Sequence, residues 1–186
     1  MLRGVAAVVV AVMLSACAAV PLAPRDPQPF DIVGRALVTY SAGSMTANLR
    51  WEHAAAEDQI WLMTPTGQTL AYIVDSAQGA TLTRSDRRQY RARSVEALTQ
   101  QALGWSLPLS LLQYWVRGQP APGSAPEDVQ RGPDNALRAL NQNGWQVAFI
   151  YHPDGAMSGR VRTLDLSDGP NQIRLVIDTW RDAHAP

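Results

Sequence analysis

Apolar and polar residues alternate without a break over residues 45–51, and this alternation predicts a β-strand with one buried face. Leu49 and Trp51 fall on the apolar face, whereas Arg50 falls on the polar face. A chain with several such strands predicts a curved antiparallel sheet. The period of two returns in four later stretches, at residues 69–74, 80–83, 145–149 and 173–177.

Turn residues between these stretches predict a series of hairpins. Residues 30–40 predict a long first strand, and residues 41–44 predict the turn that follows it. Pro65 and Gly67 suit a tight turn, because proline restricts φ and glycine accepts a positive φ. Residues 60–63 are apolar throughout, as in a strand that is buried on both faces.

Two segments with a helical period interrupt the strands. Ser94 can cap a first helix that ends at Gly104. A second helix is expected from near Pro108 to just before Gly118. Their apolar stripes fit either ordinary core packing or a lid across the mouth of a curved sheet. Residues 119–133 are rich in proline and glycine and predict a long surface loop.

Composition narrows the range of functions. The chain has 186 residues, of which 46% are hydrophobic, and this is enough for one domain with a sizeable core. The 16 basic and 16 acidic side chains cancel, so nucleic acid is not expected as a partner. Every basic residue is an arginine, which excludes reactions that depend on a lysine amine.

The N-terminal residues have the pattern of a lipoprotein signal. A charged start and an apolar run lead to a leucine, two small residues and Cys17. From this pattern we expect Cys17 to carry the lipid anchor. Two or more acyl chains on one cysteine would hold the protein stably at a membrane. A buried free cysteine is the alternative interpretation. The expected segments are a signal peptide over 1–16, a lipidated proline-rich tether over 17–29, a β domain over 30–181 and a disordered tail over 182–186.

No group of residues forms a convincing catalytic or metal site. His53, His152 and His184 lie in predicted turns or in the tail, without the spacing of metal ligands, and we expect all three on the surface. Residues 155–159 lack a serine at the position that a nucleophile elbow requires. We therefore expect no enzymatic activity, no metal and no cofactor.

Two features have two interpretations each. Five arginines and one aspartate lie between Arg84 and Arg93. They fit a solvated face, or a basic rim that meets anionic headgroups or an acidic partner protein. Large apolar side chains, including six tryptophans, can either fill the concave side of the sheet or line a cavity there.

Short motifs follow one another in a recognisable order along most of the chain. They begin with Cys17, Phe30, residues 34–36 and residues 49–51. The later motifs are at residues 65–67, 103–105, 107–109, 112–118, 143–145 and 173–177, ending near Trp180. In this order the motifs resemble those of the LolB family of outer-membrane lipoproteins.

The resemblance implies a mainly β fold, an incomplete (half-open) antiparallel β-barrel of about eleven strands with helices covering the opening. It implies a monomer that accepts lipoproteins from a LolA-like periplasmic carrier and binds their acyl chains in an apolar cavity. It also implies that the protein inserts these lipoproteins into the inner leaflet of the outer membrane of a Gram-negative bacterium. The protein itself is expected to be lipid-anchored on the periplasmic side, in agreement with Ala18 rather than aspartate after Cys17. The alternative is a structural lipoprotein with a filled barrel that docks a membrane-protein complex.

The resemblance and the strand pattern together predict the residues of the site. Pro65, Thr66 and Gly67 are expected to form the membrane-insertion turn. The family commonly carries an exposed apolar residue at the position of Thr66, so either Leu70 or Met63 supplies the contact or insertion is weaker. The expected wall of the acyl-chain cavity is Leu37, Met45, Ala47, Leu49, Trp51, Ile60, Leu62, Leu70, Tyr72, Leu98, Leu111, Trp115, Val147, Phe149 and Leu175.

Overall fold

A computed structural model describes residues 28–181 of the chain. The expected signal peptide, Cys17, most of the tether and the tail over 182–186 lie outside the described residues. The strands of the N-terminal half are β1 (Phe30–Tyr40), β2 (Gly43–His53), β3 (Glu57–Met63), β4 (Thr69–Ser76), β5 (Gly79–Arg84) and β6 (Gln89–Ala92). Two helices follow, α1 (Val95–Leu103) and α2 (Leu109–Trp115). The C-terminal strands are β7 (Glu127–Arg131), β8 (Leu137–Gln142), β9 (Trp145–Tyr151), β10 (Val161–Ser167) and β11 (Gln172–Arg181), with a short 3₁₀ turn at Gly155–Met157.

All eleven strands form one antiparallel sheet with the order β6-β5-β4-β3-β2-β1-β11-β10-β9-β8-β7. The first and last strands, β1 and β11, pair at its centre, and each half of the chain forms a meander that runs outward from that pair. The edge strands β6 and β7 do not pair with each other in the described part of the chain, so the sheet curves without closing. This architecture confirms the expected half-open barrel.

The strand at residues 45–51 forms as its alternation predicts. It is part of β2, where Ala47, Leu49 and Trp51 are buried on the concave side and Arg50 remains a third exposed. Leu49 lies opposite Leu62 of β3 and opposite Gly34 of β1. Alternation therefore gave the correct phase for this strand.

Both helices begin and end near the expected residues. The Ser94 side chain accepts a hydrogen bond from the Ala97 N–H at 3.3 Å and caps α1, while Gly104 ends the helix with a φ of 77°. Pro108 precedes the first turn of α2. The Ser110 N–H donates to the Glu96 carboxylate at 2.9 Å, so the two helices are tied to each other.

The expected long loop over residues 119–133 is only partly correct. Its second half contains β7, which pairs with β8 at the edge of the sheet. Every side chain of β7 is exposed, so the strand has no apolar face. A strand without such a face has no period of two, and only its pairing with β8 reveals it.

The two ends of the sheet differ in what they carry. We call the end at which β1 begins, beside Gln28 and Phe30, the proximal end. The opposite end, the distal end, carries the turn between β1 and β2, the turn at residues 64–68 and the turn at residues 85–88. The N-terminal segment therefore enters the domain at the end opposite these three turns.

Candidate functional site

The concave side of the N-terminal half encloses a cavity of about 610 Å³. Strands β1 to β5 form its wall together with β11, and the two helices and the segment between them cover it. Most of its surface is apolar, so it can bind a hydrocarbon chain by removing that chain from water.

Eight of the fifteen predicted residues line this cavity. They include Leu49 and Trp51, the two side chains that alternation placed on the inner face of β2. Six of the eight come from β2 and β3, because every second residue of these strands points to the concave side. The eight are Met45, Ala47, Leu49, Trp51, Ile60, Leu62, Leu70 and Leu175.

Five predicted residues lie in the hydrophobic core but do not line the cavity. Leu98, Trp115, Val147 and Phe149 are buried, and Leu111 is half-buried against the same core. Trp115 of α2 extends into the C-terminal half, where its indole N–H donates to Gln142 at 2.9 Å. The Gln142 side chain also binds the backbone of Ala121 and Ser124. α2 therefore fills the C-terminal half and does not extend the cavity into it.

The prediction was wrong for the orientation of Leu37 and Tyr72, which lie on the outer face of the sheet. Leu37 is 42% exposed and shares that face with Arg35 and Thr39, so the neighbouring Ala36 and Val38 line the cavity instead. The polar residues two positions before and after Leu37 indicate the outer face, because side chains two apart in a strand lie on the same face.

Tyr72 is displaced from the cavity for a different reason. Its ring stacks on Trp61 on the outer face, with 5.1 Å between the ring centroids. The pairing of β3 with β4 shifts between Leu62 and Met63, which leaves Leu70 as an extra residue. Leu70 and Ala71 therefore both line the cavity, whereas strict alternation from Leu70 would place Tyr72 there.

Residues that the sequence did not identify complete the wall. Ile73 and Leu82 contribute from β4 and β5, and the helical region contributes through Trp105, Leu109 and Leu112. The apolar stripe of α2 indicated a buried face but not which of its residues contact the cavity. Only the angle at which the helix crosses the sheet determines this.

The cavity opens at the distal end. Trp51, Ile60 and Ile73 are buried at its depth, whereas Leu70 and Tyr90 at its opening are 37% and 40% exposed. We call Leu70, Tyr90, Arg84 and Ser85 together the mouth of the cavity. Leu70 and Tyr90 give the mouth an apolar part, and Arg84 gives it a positive charge.

The described turn next to the mouth has the geometry that Pro65 and Gly67 predict. The Gly67 N–H donates to the Thr64 carbonyl at 2.9 Å, and Gly67 has a φ of 87°. Pro65, Thr66 and Gly67 are all exposed at the distal end. The turn therefore projects into solvent beside Leu70.

Polar groups bind the indole of Trp51, which lies at the depth of the cavity. The indole N–H of Trp51 donates to Asp58, and the His53 ring lies 2.8 Å from the same carboxylate oxygen. The prediction of a surface position for His53 was wrong, because this ring is buried and stacks on Phe30. His152 is half-buried with its Nε2 atom 3.2 Å from the Ile177 carbonyl, and His184 lies outside the described residues.

Asp75 lies near the carboxylates of Glu96 and Asp58 at the proximal end of the sheet. Its pKa is raised to about 6, first by burial and then by the negative charges of Glu96 and Asp58. Burial also disfavours the charged form of Glu96, but the hydrogen bonds from Ser110 and Ser94 outweigh it and lower the pKa of Glu96. The raised pKa of Asp75 therefore reflects its position under α1 and not a catalytic partner.

The described residues contain neither a metal-ligand group nor a membrane-spanning helix. Within residues 28–181, no group of three histidine, cysteine, aspartate or glutamate side chains could hold a metal ion. None of the helices in this range has the length and hydropathy that a membrane-spanning helix requires. The arrangement is that of a binding cavity whose wall is mostly hydrocarbon.

Comparison with known proteins identifies the family of the chain. The model of the family described as "Outer membrane lipoprotein LolB" matches residues 28–180. Outer-membrane lipoprotein LolB of Nitrosomonas europaea is 35% identical over 157 residues, which cover 83% of this chain and 73% of that protein. LolB of Azoarcus sp. is 31% identical over 180 residues, covering 94% and 92% of the two chains.

A solved structure agrees with the fold. The crystal structure of a LolA superfamily protein from Nitrosomonas europaea superposes with a TM-score of 0.51 at 5% identity, covering 86% of this chain and 88% of that one. At this identity the similarity concerns the fold alone. The family assignment rests on the family model and on the sequence relatives, and by them the chain belongs to the LolB family of outer-membrane lipoproteins.

Proposed function

We propose that this outer-membrane lipoprotein receives other lipoproteins from a LolA-like periplasmic carrier, holds an acyl chain in its cavity and inserts the passenger into the outer membrane. A role in lipoprotein localisation follows from the family. The observation that carries the detailed proposal is the apolar cavity of about 610 Å³ under β1 to β5.

The size of the cavity suits one acyl chain. A methylene group takes roughly the volume of a water molecule in the liquid, about 30 Å³, so a chain of about sixteen carbons needs about 480 Å³. The cavity of about 610 Å³ accommodates that volume but not a second chain of the same length. The remaining chains of a passenger lie at the mouth, against Leu70 and Tyr90.

Transfer by this cavity needs no covalent step. Each methylene group that leaves water contributes about 0.8 kcal/mol, so an enclosed chain is stabilised and an exposed one is strongly disfavoured. The passenger moves from the carrier to this protein if the cavity binds the chain more favourably than the carrier does. We therefore assign the protein no enzymatic activity and no cofactor, and propose that it acts as a monomer.

Two further parts of the chain complete the proposal. Cys17 carries the lipid anchor of the mature protein, and the exposed turn at Pro65, Thr66 and Gly67 contacts the membrane during insertion. Thr66 adds little apolar surface, so Leu70 supplies most of the hydrocarbon contact at this end. The scaffold alternative requires a filled interior, and the cavity does not support it.

A filled cavity tests the proposed function. Ala71→Phe places a ring on the cavity wall, and Ala148→Phe makes the same change on the outer face of β9. Excluding about two methylene groups costs about 1.6 kcal/mol, so Ala71→Phe should weaken binding of a fluorescent dipalmitoyl lipopeptide roughly tenfold. Both variants are made in a Cys17→Ala background, which removes the protein's own lipid.

Ala148→Phe should bind the lipopeptide as the unsubstituted protein does. Equal affinities for the two phenylalanine variants would show that the chain binds elsewhere. A transfer assay from a loaded LolA-like carrier to the Cys17→Ala protein then measures whether the bound passenger is accepted, and failure to accept it would exclude the receptor role.

A further inference from the structure

The arginine cluster of the sequence is divided by the fold. Arg84 ends β5 at the distal end, and Arg87 and Arg88 lie in the turn from β5 to β6; we call these three residues the basic turn. Arg93 lies at the proximal end, since it follows β6 and its Cα lies beside Gly79. The two ends of the cluster therefore cannot contact the same small surface.

Within residues 28–181, only one arginine of the basic turn has a carboxylate partner, and that pair is exposed. Arg88 lies 3.5 Å from Asp86, and both side chains are largely exposed. Arg84 and Arg87 have no ion pair within residues 28–181. By contrast, the outer face carries close pairs between strands or across a turn, namely Arg35 with Asp178, Arg50 with Asp31, Arg138 with Asp134 and Arg174 with Asp165.

The basic turn is attached directly to the mouth of the cavity. The Ser85 N–H donates to the Leu70 carbonyl at 3.2 Å, which ties this turn to the start of β4 and to the turn at residues 64–68. Arg84 and Ser85 themselves line the mouth beside the exposed Leu70 and Tyr90. Three arginines, two of them without an ion pair within residues 28–181, and two exposed apolar side chains thus lie at one opening.

From this arrangement we propose that the basic turn binds the phosphate groups of anionic phospholipids and so holds the mouth of the cavity against the membrane surface. Guanidinium groups match phosphate oxygens in geometry and charge, and leucine and tyrosine suit the boundary between headgroups and acyl chains. A mouth held at the bilayer lets an acyl chain leave the cavity without crossing water. The proposal rests on the proposed function, because it assigns the place at which the passenger leaves.

The length of the tether permits this orientation. The anchor residue Cys17 and the proximal end are separated by the segment from Cys17 to Pro29, thirteen residues that can extend over at most about 45 Å. β1 has 11 residues and spans about 37 Å from the proximal to the distal end. A protein anchored at Cys17 can therefore turn its distal end toward the bilayer that holds its own anchor.

Reporters at the two ends test the proposal on the mature, lipid-anchored protein. Cys17 is the only cysteine of the chain and carries the lipid, so Thr66→Cys or Gln78→Cys adds one free thiol for an environment-sensitive dye. Thr66 marks the distal end and Gln78 the proximal end. In vesicles of phosphatidylcholine with phosphatidylglycerol, the distal dye should move to an apolar environment and the proximal dye should not. In vesicles of phosphatidylcholine alone, neither should.

A charge-matched pair of variants separates the basic turn from overall charge. Each arginine near an anionic surface raises the ratio of docked to undocked protein roughly fivefold. Arg87→Gln with Arg88→Gln should therefore lower this ratio about 25-fold. Arg162→Gln with Arg181→Gln removes the same charge from exposed positions near the proximal end and should change little. Arg87→Lys with Arg88→Lys keeps both charges and should retain most of the docking.

Equal losses in the two glutamine variants, or a distal signal that ignores phosphatidylglycerol, would overturn the proposal. So would a distal signal that requires an acidic carrier protein instead of the anionic lipid. Lipopeptide binding in solution tests the cavity separately from membrane docking. Neither Arg87 nor Arg88 lines the cavity, so their substitution should leave this binding unchanged. An unchanged affinity with lost docking supports the proposal, whereas an unsubstituted protein without lipopeptide affinity contradicts the proposed function alone.

Discussion

Under β7 to β10 the concave side of the sheet is filled by side chains, whereas under β1 to β5, next to β11, it encloses a cavity of about 610 Å³. Leu140, Phe149 and Leu164 are buried in the filled half together with Trp115 from α2. The cavity half has small residues, such as Ala36 and Ala71, at several inward positions. One continuous sheet thus forms a core on one side and a binding site on the other, according to the size of its inward side chains and the position of α2.

Two tryptophans from the helical region show the same difference. Trp115 is fully buried and its indole N–H is satisfied by Gln142. Trp105 lines the cavity, and its buried indole N–H has no hydrogen-bond partner among the described residues. A side chain at a cavity wall has fewer hydrogen-bond partners and fewer packing contacts. Truncating a side chain in the cavity half should therefore lower the free energy of unfolding less than truncating one in the filled half.

Truncation of the two tryptophans should give the largest difference between the halves. Trp115→Ala should lower the free energy of unfolding by about 4 kcal/mol, since it removes a large buried side chain and one of the two donors to the Gln142 side-chain oxygen. Trp105→Ala should cost about half as much, because the space it leaves joins an existing cavity. Unfolding in guanidinium chloride measures both, and equal losses would contradict the division into a filled and an open half.

The hydrogen bonds of Gln142 should give the next largest effect. Its side chain accepts from Trp115 and from the Ala121 N–H, and it donates to the Ala121 and Ser124 carbonyls. Gln142→Ala leaves these buried groups unpaired and should cost about 2–3 kcal/mol. Gln146→Ala, an exposed change on β9, is the control and should stay within about 0.5 kcal/mol in the same denaturation experiment. A similar loss in both variants would show that the network does not stabilise the filled half.

Asp75 should give the smallest effect, and one that depends on pH. Its pKa is raised to about 6 by burial and by Glu96 and Asp58, so the folded protein retains a proton that the unfolded chain has released. The stability contribution of protonated Asp75 is complete below about pH 4 and is lost as the pH rises through about 6. Asp75→Asn should therefore stabilise the protein above pH 6 by about 1 kcal/mol, after allowance for the partial exposure of this side chain.

Thermal or chemical unfolding at a series of pH values checks this prediction. The difference between Asp75→Asn and the unsubstituted protein should shrink toward zero as the pH falls to about 4. Asp154→Asn, at an exposed turn, serves as the control and should not reproduce this pH dependence. A constant difference over the whole range would show that the burial of Asp75 does not shift its ionisation.

Local patterns predicted a large part of the fold and a smaller part of the site. The alternation in β2 gave the correct inward face for Leu49 and Trp51, because both neighbouring strands continue that pairing without a shift at these residues. The same reasoning failed at Tyr72, because the shift between β3 and β4 is set by both strands together. It also failed for Trp115, since the apolar stripe of a helix does not reveal which half of the sheet the helix fills.

The sequence by itself determined the family, the central hairpins and the ends of both helices. These features depend on nearby residues, such as Ser94 at the start of α1 and Gly67 in its turn, or on motifs in a recognisable order. The tertiary structure decided the pairing of edge strand β7, the burial of His53 and the separation of the basic turn from Arg93. It also decided that one half of the interior stays open, because a cavity depends on whether side chains from distant strands and helices meet across the sheet.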